Sequence, residues 1–321
     1  MTFVRLGYVA MSTHLKNCSP SQTMTYAHFE QLSDREAAIR KLERIALSNL
    51  ENCLRLLKHN LAHDIHFFRL SSRLIPLATH EELEDWNYMK PLKEKFSEIG
   101  EFARKNDVRL DFHPDHFVVL NSPKKEILKT SVHTLQYHLK MLKGMNINPI
   151  HRCVLHVGGK YEGKEMALEQ FVHNWGYIPT TIQKMIMLEN DDKSFDLIDT
   201  LYLCEKLGIP FVFDYHHHLA NFSEEDWLTY WPRIVQTWSQ SPLPIKMHLS
   251  SPKSEKRFRD HADYVDLDMF LKFLNGIKGS IPQIDCMIEA KQKDDTLFKL
   301  IDELRDHPEI IMIDQSSFHI K

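Results

Sequence analysis

The sequence predicts a single (β/α)₈ TIM barrel with a metal cluster at the C-terminal face of its strands. Three observations lead there. Short apolar, β-prone runs alternate with longer stretches of helical period, there are eight such units, and from the third unit onward every strand candidate ends in His, Asp or Glu. Strand–helix alternation argues for a parallel sheet, and eight units close a barrel of ~250 residues plus insertions. An open doubly wound sheet needs a glycine-rich phosphate loop after its first strand. Here the first strand is followed by "AMSTHLKNCSPSQTMTY", which contains no glycine.

The strand candidates are residues 3–9, 66–71, 108–113, 153–157, 185–190, 210–215, 245–250 and 285–290. A helix is predicted over 35–62, where Ile39, Leu42, Ile45, Ala46, Leu50, Cys53, Leu54 and Leu57 recur at intervals of three and four. Further helices fit 91–105, 124–143, 164–174, 196–207, 224–239, 267–274 and 294–305. Ser122 before Pro123, and Ser223 with an acidic first turn, read as caps, while Gly208 closes the helix before the sixth strand. The stretch 10–34 is the longest non-helical insertion and is expected over the catalytic mouth. No linker or low-complexity run divides residues 1–321, so one domain is expected.

Apolar residues make up 43% and charged residues 26% of the 321, an ordinary globular composition. No run approaches the ~18 apolar residues of a membrane span, and the opening "MTFVRLGYVAM" does not fit a secretion signal. The five cysteines (18, 53, 153, 204, 286) form no C-x-x-C pair, which argues against a zinc ribbon and for a reducing, cytoplasmic setting. The net charge of −4 is unfavourable for a nucleic-acid binder. A DNA reading therefore needs local basic residues or bound metal. The 20 histidines are the compositional anomaly, and imidazole is the commonest metal ligand.

In a barrel, chemistry sits at the C-terminal strand ends. The third strand ends in His113, the fourth in His156, the fifth in Glu189-Asn190, and the sixth in Asp214 with His217 in the turn. The seventh ends in Lys246-Met247-His248, with His261 and Asp263 in the loop beyond, and the eighth ends in Glu289. Residues i and i+2 of a strand share a face. Val154 with His156, Met187 with Glu189, Val212 with Asp214, Lys246 with His248 and Met287 with Glu289 each put a ligand type last on one face. A lone His at a strand end is usually a hydrogen-bonded structural residue; six consecutive strand ends are not explained that way. This donor set could serve two or three divalent ions. Imidazole and carboxylate without thiolate suits Mn²⁺, Zn²⁺ or Fe²⁺, and paired metals activate water for phosphoryl transfer.

Seven segments, "FHPDHF", "LHVGG", "LENDDKSF", "VFDYHHHLAN", "KMHLSSPK", "HADYVD" and "MIEAKQKD", resemble the UV damage endonucleases in order and spacing. "RLSSRLIPLATH" and "LGYV" extend the resemblance over about residues 3–305. It implies a TIM-barrel fold similar to endonuclease IV and a metal-dependent DNA repair endonuclease. Such an enzyme nicks duplex DNA immediately 5′ to cyclobutane dimers and 6-4 photoproducts by metal-activated water, leaves a 3′-OH, and takes abasic sites as a side substrate. It implies His113, His156 and Glu189 on a first metal, Glu189, Asp214, His248 and Glu289 on a second, and His217 and His261 with Asp263 on a third. Mn²⁺ is the expected ion. Glu189, Lys246 and Glu289 are the expected catalytic residues, with Lys246 open to carbamylation if burial lowers its pKa. Tyr8, His116 and Phe117 resemble the residues that wedge into the duplex; where the family has Gln-aromatic, this chain has His116-Phe117. Lys253, Lys256 and Arg257 (with Arg259) form a basic loop for phosphate contacts, and Arg69, Ser71, Asn190, His216 and Ser250 are further DNA-contact candidates. A cytoplasmic monomer acting at the nucleoid is expected. The rival readings are a metal-dependent sugar isomerase and an abasic-site endonuclease on the same barrel.

Overall fold

The computed structural model describes residues 1–221 and 226–321. Eight parallel strands form the barrel: β1 (Thr2–Val9), β2 (Phe67–Arg69), β3 (Arg109–Asp111), β4 (Cys153–His156), β5 (Ile186–Glu189), β6 (Phe211–Asp214), β7 (Ile245–Leu249) and β8 (Gln283–Ile288). Each predicted strand is there. Neighbours pair in sequence around the ring, and β8 returns to β1 with Phe3 opposite Gln283 and Tyr8 opposite Ile288. The seam between β3 and β4 is thin: a parallel bridge of Phe112 to Cys153, with the Phe112 amide donating to the Arg152 carbonyl at 2.8 Å. Gly7 lets β2 approach β1, because a Cβ there would lie 2.2 Å from the Phe67 carbonyl oxygen.

The strands are short and buried on both faces, as parallel strands wrapped in helices are. The helix Arg35–Ala62 buries Leu42, Ala46, Leu50, Cys53 and Leu57, and Asp34 caps it by accepting from the Glu36 and Ala37 amides. Leu197–Leu207 opens on a capping box between Asp196 and Asp199 and closes on Gly208 at φ 66°. The expected cap Ser122 accepts from the Lys124 amide at 3.2 Å, just ahead of the helix Lys125–Gly144. The expected cap Ser223 lies outside the described residues; Asp226 caps the helix Trp227–Thr237. Among the described residues, no helix is long and apolar enough to cross a membrane.

Three features depart from expectation. The insertion 10–34 contains a short helix, Tyr26–Glu30, and is tied down along the helix Arg35–Ala62. Asn52 donates to the Ser19 carbonyl, Arg55 to the Asn17 carbonyl, and Asn49 exchanges hydrogen bonds with Gln22. Its start is clamped on the buried Asp294, which accepts from the Thr13 amide and hydroxyl. Second, Ile310–Met312 and Ser317–Ile320 form an antiparallel pair that fills the lower half of the β1 edge, where β2 is too short to pair. Third, the predicted basic loop is a two-stranded hairpin, Pro252–Ser254 with Arg257–His261.

Candidate metal centre

The strand register brings the ligand-type residues to one height. His156 lies opposite Glu189 and Asp214 opposite His248 as Cα partners. Glu189 is the hub and is fully buried. Its Oε2 lies 2.9 Å from His113 Nε2 and 3.9 Å from His156 Nε2. Its Oε1 lies 2.8 Å from His248 Nδ1 and 3.3 Å from His217 Nδ1. Glu289 Oε1 lies 3.1 Å from His248 Nδ1. Three triads have donor atoms close enough for one ion each: His113–Glu189–His248, His156–Glu189–His217 and Asp214–His248–Glu289. The resemblance implied the same residues in a different grouping, with His113 beside His156 and His217 beside His261.

The histidines are held in chosen orientations. His113 Nδ1–H donates to the Pro114 carbonyl at 3.1 Å, His217 Nδ1–H to the Asn190 carbonyl at 3.0 Å, and His261 Nδ1–H to the Glu289 carbonyl at 2.8 Å. Each bond fixes the ring through its Nδ1–H, the way metal-ligating imidazoles are held. The Asn190 side chain donates to the Asp214 carbonyl and accepts from the Asp214 amide, both at 2.9 Å, which locks the ends of β5 and β6 together.

The cluster leaves several buried donor atoms without a hydrogen bond. Buried polar groups are normally hydrogen-bonded, yet His156 Nδ1, Glu189 Oε1, Asp214 Oδ2, His248 Nδ1 and Glu289 Oε1 are buried without a hydrogen-bond partner. Burial works to raise the Glu189 carboxyl, but His248, His156, His113 and His217 outweigh it and hold the group well below the usual range. Asp214 goes the other way: burial, with Glu189 and Glu289 adding to it, pushes its carboxyl up against the pull of His217. Orphaned imidazole and carboxylate atoms converging on three triads fit divalent cations, and the absence of thiolate suits Mn²⁺, Zn²⁺ or Fe²⁺.

Beneath the triads lies an ionic layer that sequence reading missed. Arg109 bridges Asp111 (3.2 Å) and Asp285 (2.9 Å), and Arg5 grips Asp285 with two bonds of 2.8 Å. Lys246, fully buried, points into this layer: its Nζ lies 3.2 Å from Asp111 and 5.6 Å from the Phe67 ring centroid. Burial pushes its pKa down to about 8, with Arg69 and Arg109 adding and Asp111 opposing. The signal was available. Asp111, Lys246 and Asp285 each sit an even number of residues before His113, His248 and Glu289, so they share the inward face.

The structure sorts the remaining site candidates. Arg69 joins the cluster, with Nη2 2.6 Å from Glu289 Oε1 and donating to His248 Nε2 at 2.7 Å. His261 reaches its edge, with ring centroids 5.9 Å from His217. Asp263 is exposed; its carbonyl accepts from the Gln292 amide and the Thr296 hydroxyl. Tyr8 is corrected as a wedge: it is fully buried, facing outward to the helix Arg35–Ala62, where its hydroxyl donates to Asn60 Oδ1 at 2.6 Å. Ser71 bonds Ser21, and His216, Asn190 and Ser250 are buried in bonds of their own, so none of these four is presented to a duplex. Exposed at the mouth are His116, Phe117 (58% accessible), Lys253, Lys256, Arg257 and Arg259.

The sequence matches the family described as UV-endonuclease UvdE over residues 4–320. It is 53% identical over 315 residues to a "UV DNA damage endonuclease" of Halalkalibacterium halodurans, with 98% of each chain covered. The crystal structure of SacUVDE superimposes with a TM-score of 0.83 at 31% identity, covering 94% of this chain and 98% of that one. Endonuclease IV from Thermus thermophilus is similar in fold, with a TM-score of 0.53 at 13% identity over 88% of this chain and 91% of that one.

Proposed function

The chain belongs to the UV-endonuclease UvdE family, and from that premise we propose that it is a metal-dependent repair endonuclease that nicks duplex DNA immediately 5′ to UV photoproducts. Its substrates are cyclobutane dimers and 6-4 photoproducts, with abasic sites taken as well, and incision leaves a 3′-OH. The observation that carries this reading is the convergence of buried imidazole and carboxylate donors on three triads at the strand ends. His113, His156, Glu189, Asp214, His217, His248 and Glu289, with His261 at the edge, hold two to three divalent ions, Mn²⁺ foremost. When bound, such ions supply an activated water and offset the charge that builds on the scissile phosphate.

The chain's own residues do the rest. Asn190 and the backbone carbonyls of Pro114, Asn190 and Glu289 fix the donor atoms before substrate arrives. Arg69 stands at the cluster with its guanidinium in reach of a phosphate oxygen once Glu289 engages a cation. Lys246, paired with Asp111, positions β7 from below and so bears on His248 through the strand. The exposed hairpin cations take the DNA backbone. His116 and Phe117, close to His113 in sequence and open to solvent, probe the base stack where the lesion weakens it. The expected setting is the cytoplasm, with the chain acting as a monomer.

The test is a labelled duplex bearing a single thymine dimer, incubated with the protein and Mn²⁺. A nick immediately 5′ to the dimer, abolished by chelation and absent on undamaged duplex, is expected. An intact strand under those conditions refutes the proposal.

A further inference from the structure

His216 was a candidate DNA contact, but it is fully buried with both ring nitrogens engaged. Nε2 lies 2.6 Å from the carbonyl oxygen of Phe258, and Nδ1 lies 2.7 Å from the hydroxyl of Ser250. A carbonyl only accepts, so Nε2 carries the hydrogen. A neutral ring then accepts at Nδ1, and the Ser250 hydroxyl donates to it. The bond network thus selects one tautomer. Ser250 is itself fully buried at the end of β7, and His216 sits in the short helix Tyr215–Ala220 that follows β6.

Phe258 lies in the second hairpin strand, Arg257–His261. Around it stand the exposed cations Lys253, Lys256, Arg257 and Arg259. At the end of that strand stands His261, bonded to the Glu289 carbonyl beside the cluster. The hairpin has no buried core of its own, and an isolated two-stranded hairpin is marginal in water. Its root is fixed by the Ala262 amide donating to the Ser251 carbonyl at 2.8 Å. Toward its tip it is held by the half-buried bond from His216, whose ring also lies 5.8 Å from that of Phe258; Arg259 adds an exposed ion pair to Asp192 at 4.0 Å.

We infer that His216 is a positioning residue: a latch that pins the cationic hairpin to the barrel floor and sets both where its cations meet the DNA backbone and where His261 stands. The inference rests on the reading of this mouth as a DNA site. It makes the first histidine of "DYHHH" a mechanical part, distinct from its neighbours Asp214 and His217.

The test uses the full chain loaded with Mn²⁺ and the variants His216→Phe, His216→Gln and Ser250→Ala. Phenylalanine keeps the ring and loses both bonds, whereas glutamine can donate to the Phe258 carbonyl and accept from Ser250. Trypsin reports the latch directly, since Lys253, Lys256, Arg257 and Arg259 lie in the hairpin. His216→Phe is expected to be cut there up to about tenfold faster, the factor that one lost hydrogen bond commands. It is also expected to bind unirradiated duplex more weakly, with a shallower salt dependence. His216→Gln should restore both, and Ser250→Ala should fall between, which keeps the test decisive if His216→Phe folds poorly. A hairpin as resistant in His216→Phe and Ser250→Ala as in the parent overturns the inference. So does a loosened hairpin with unchanged duplex affinity and salt slope. A parent protein that fails to nick the dimer substrate instead refutes the proposed function, and the trypsin result stands apart from it.

Discussion

Glu189→Gln removes one charge and keeps the shape, and the structure sets how far its effect should reach. The two oxygens of Glu189 face different histidines: Oε2 faces His113 and His156, Oε1 faces His217 and His248. The residue therefore belongs to two of the three triads, whereas Glu289 belongs to one. Disturbing a single partner of a metal ligand costs about 10- to 100-fold in metal affinity. A residue shared by two sites should cost about 10²- to 10⁴-fold in joint occupancy, or about 2.7 to 5.5 kcal/mol. Glu289→Gln should cost the single-site amount. Calorimetric titration of the metal-free chain with Mn²⁺ measures this, with thermal unfolding as the control for the barrel. The expected order is loss of more bound ions in Glu189→Gln than in Glu289→Gln, with both folded and nicking of the dimer duplex falling in the same order. Equal stoichiometry and affinity in Glu189→Gln and the parent would refute the shared-ligand geometry.

Replacing Lys253, Lys256, Arg257 and Arg259 with alanine should weaken binding to damaged and undamaged duplex alike, and should lower the salt slope by up to about 0.9 for each phosphate that is no longer neutralised; an unchanged slope removes the hairpin from the interface. His138 is fully enclosed, and burial pushes it down from 6.5 to about 4. Because the folded chain binds this proton less readily than the unfolded chain, its stabilising effect is complete above pH 6.5 and is lost as the pH falls toward 4, by about 3 kcal/mol. Denaturant titrations at pH 7 and 4.5 of the parent and His138→Met should differ by most of that drop, the remaining fall belonging to other buried histidines such as His151. Gly100→Ala should destabilise by about 3 kcal/mol, since its Cβ would fall 1.7 Å from the Met145 carbonyl oxygen and the helix Met89–Lys105 cannot move away without opening the barrel wall. A thermal midpoint equal to the parent's refutes that close approach.

What could be read from the sequence was what has a period or an end. The strands announced themselves by apolar runs, and their last inward residues announced the cluster, because a parallel strand can turn only its terminal side chains to the mouth. Side-chain direction on β1 was misjudged for Tyr8, although Arg5 held the clue. Arg5 pairs with the buried Asp285 inside the barrel, so the odd positions of β1 face inward and Tyr8 faces the helices. The ionic layer around Asp111 was passed over because one charge in an apolar strand looks like an exception until its partners on other strands are known. The hairpin had no signal at all: "KSEKRFRDH" has no apolar alternation, since neither of its faces is buried. It is a hairpin because its two ends are fixed, at Ser251 and Glu289, and because His216 holds its second strand.

The chain carries a net charge of −4, and the question of how it receives a polyanion is answered by separating rim from floor. The floor holds Glu189, Asp214 and Glu289 beside the guanidinium of Arg69, and those carboxylates outweigh burial to hold the His217 imidazole above its ordinary value, while burial with Glu189 and Glu289 pushes Asp214 up. A phosphodiester brought to that floor meets carboxylates that already occupy its cations, Arg69 on Glu289 and His217 beside Glu189 and Asp214. The rim is the reverse, with four exposed cations on one hairpin and the exposed Phe117 on the loop that follows β3. Exposed charges act over about 10 Å at 0.1 M salt. On the proposed function, the hairpin holds a backbone near the mouth, and divalent ions held by the triads would supply the charge that receives the scissile phosphate. Encounter and chemistry are thus assigned to different charges, and His216 is the residue through which the position of one is tied to the other.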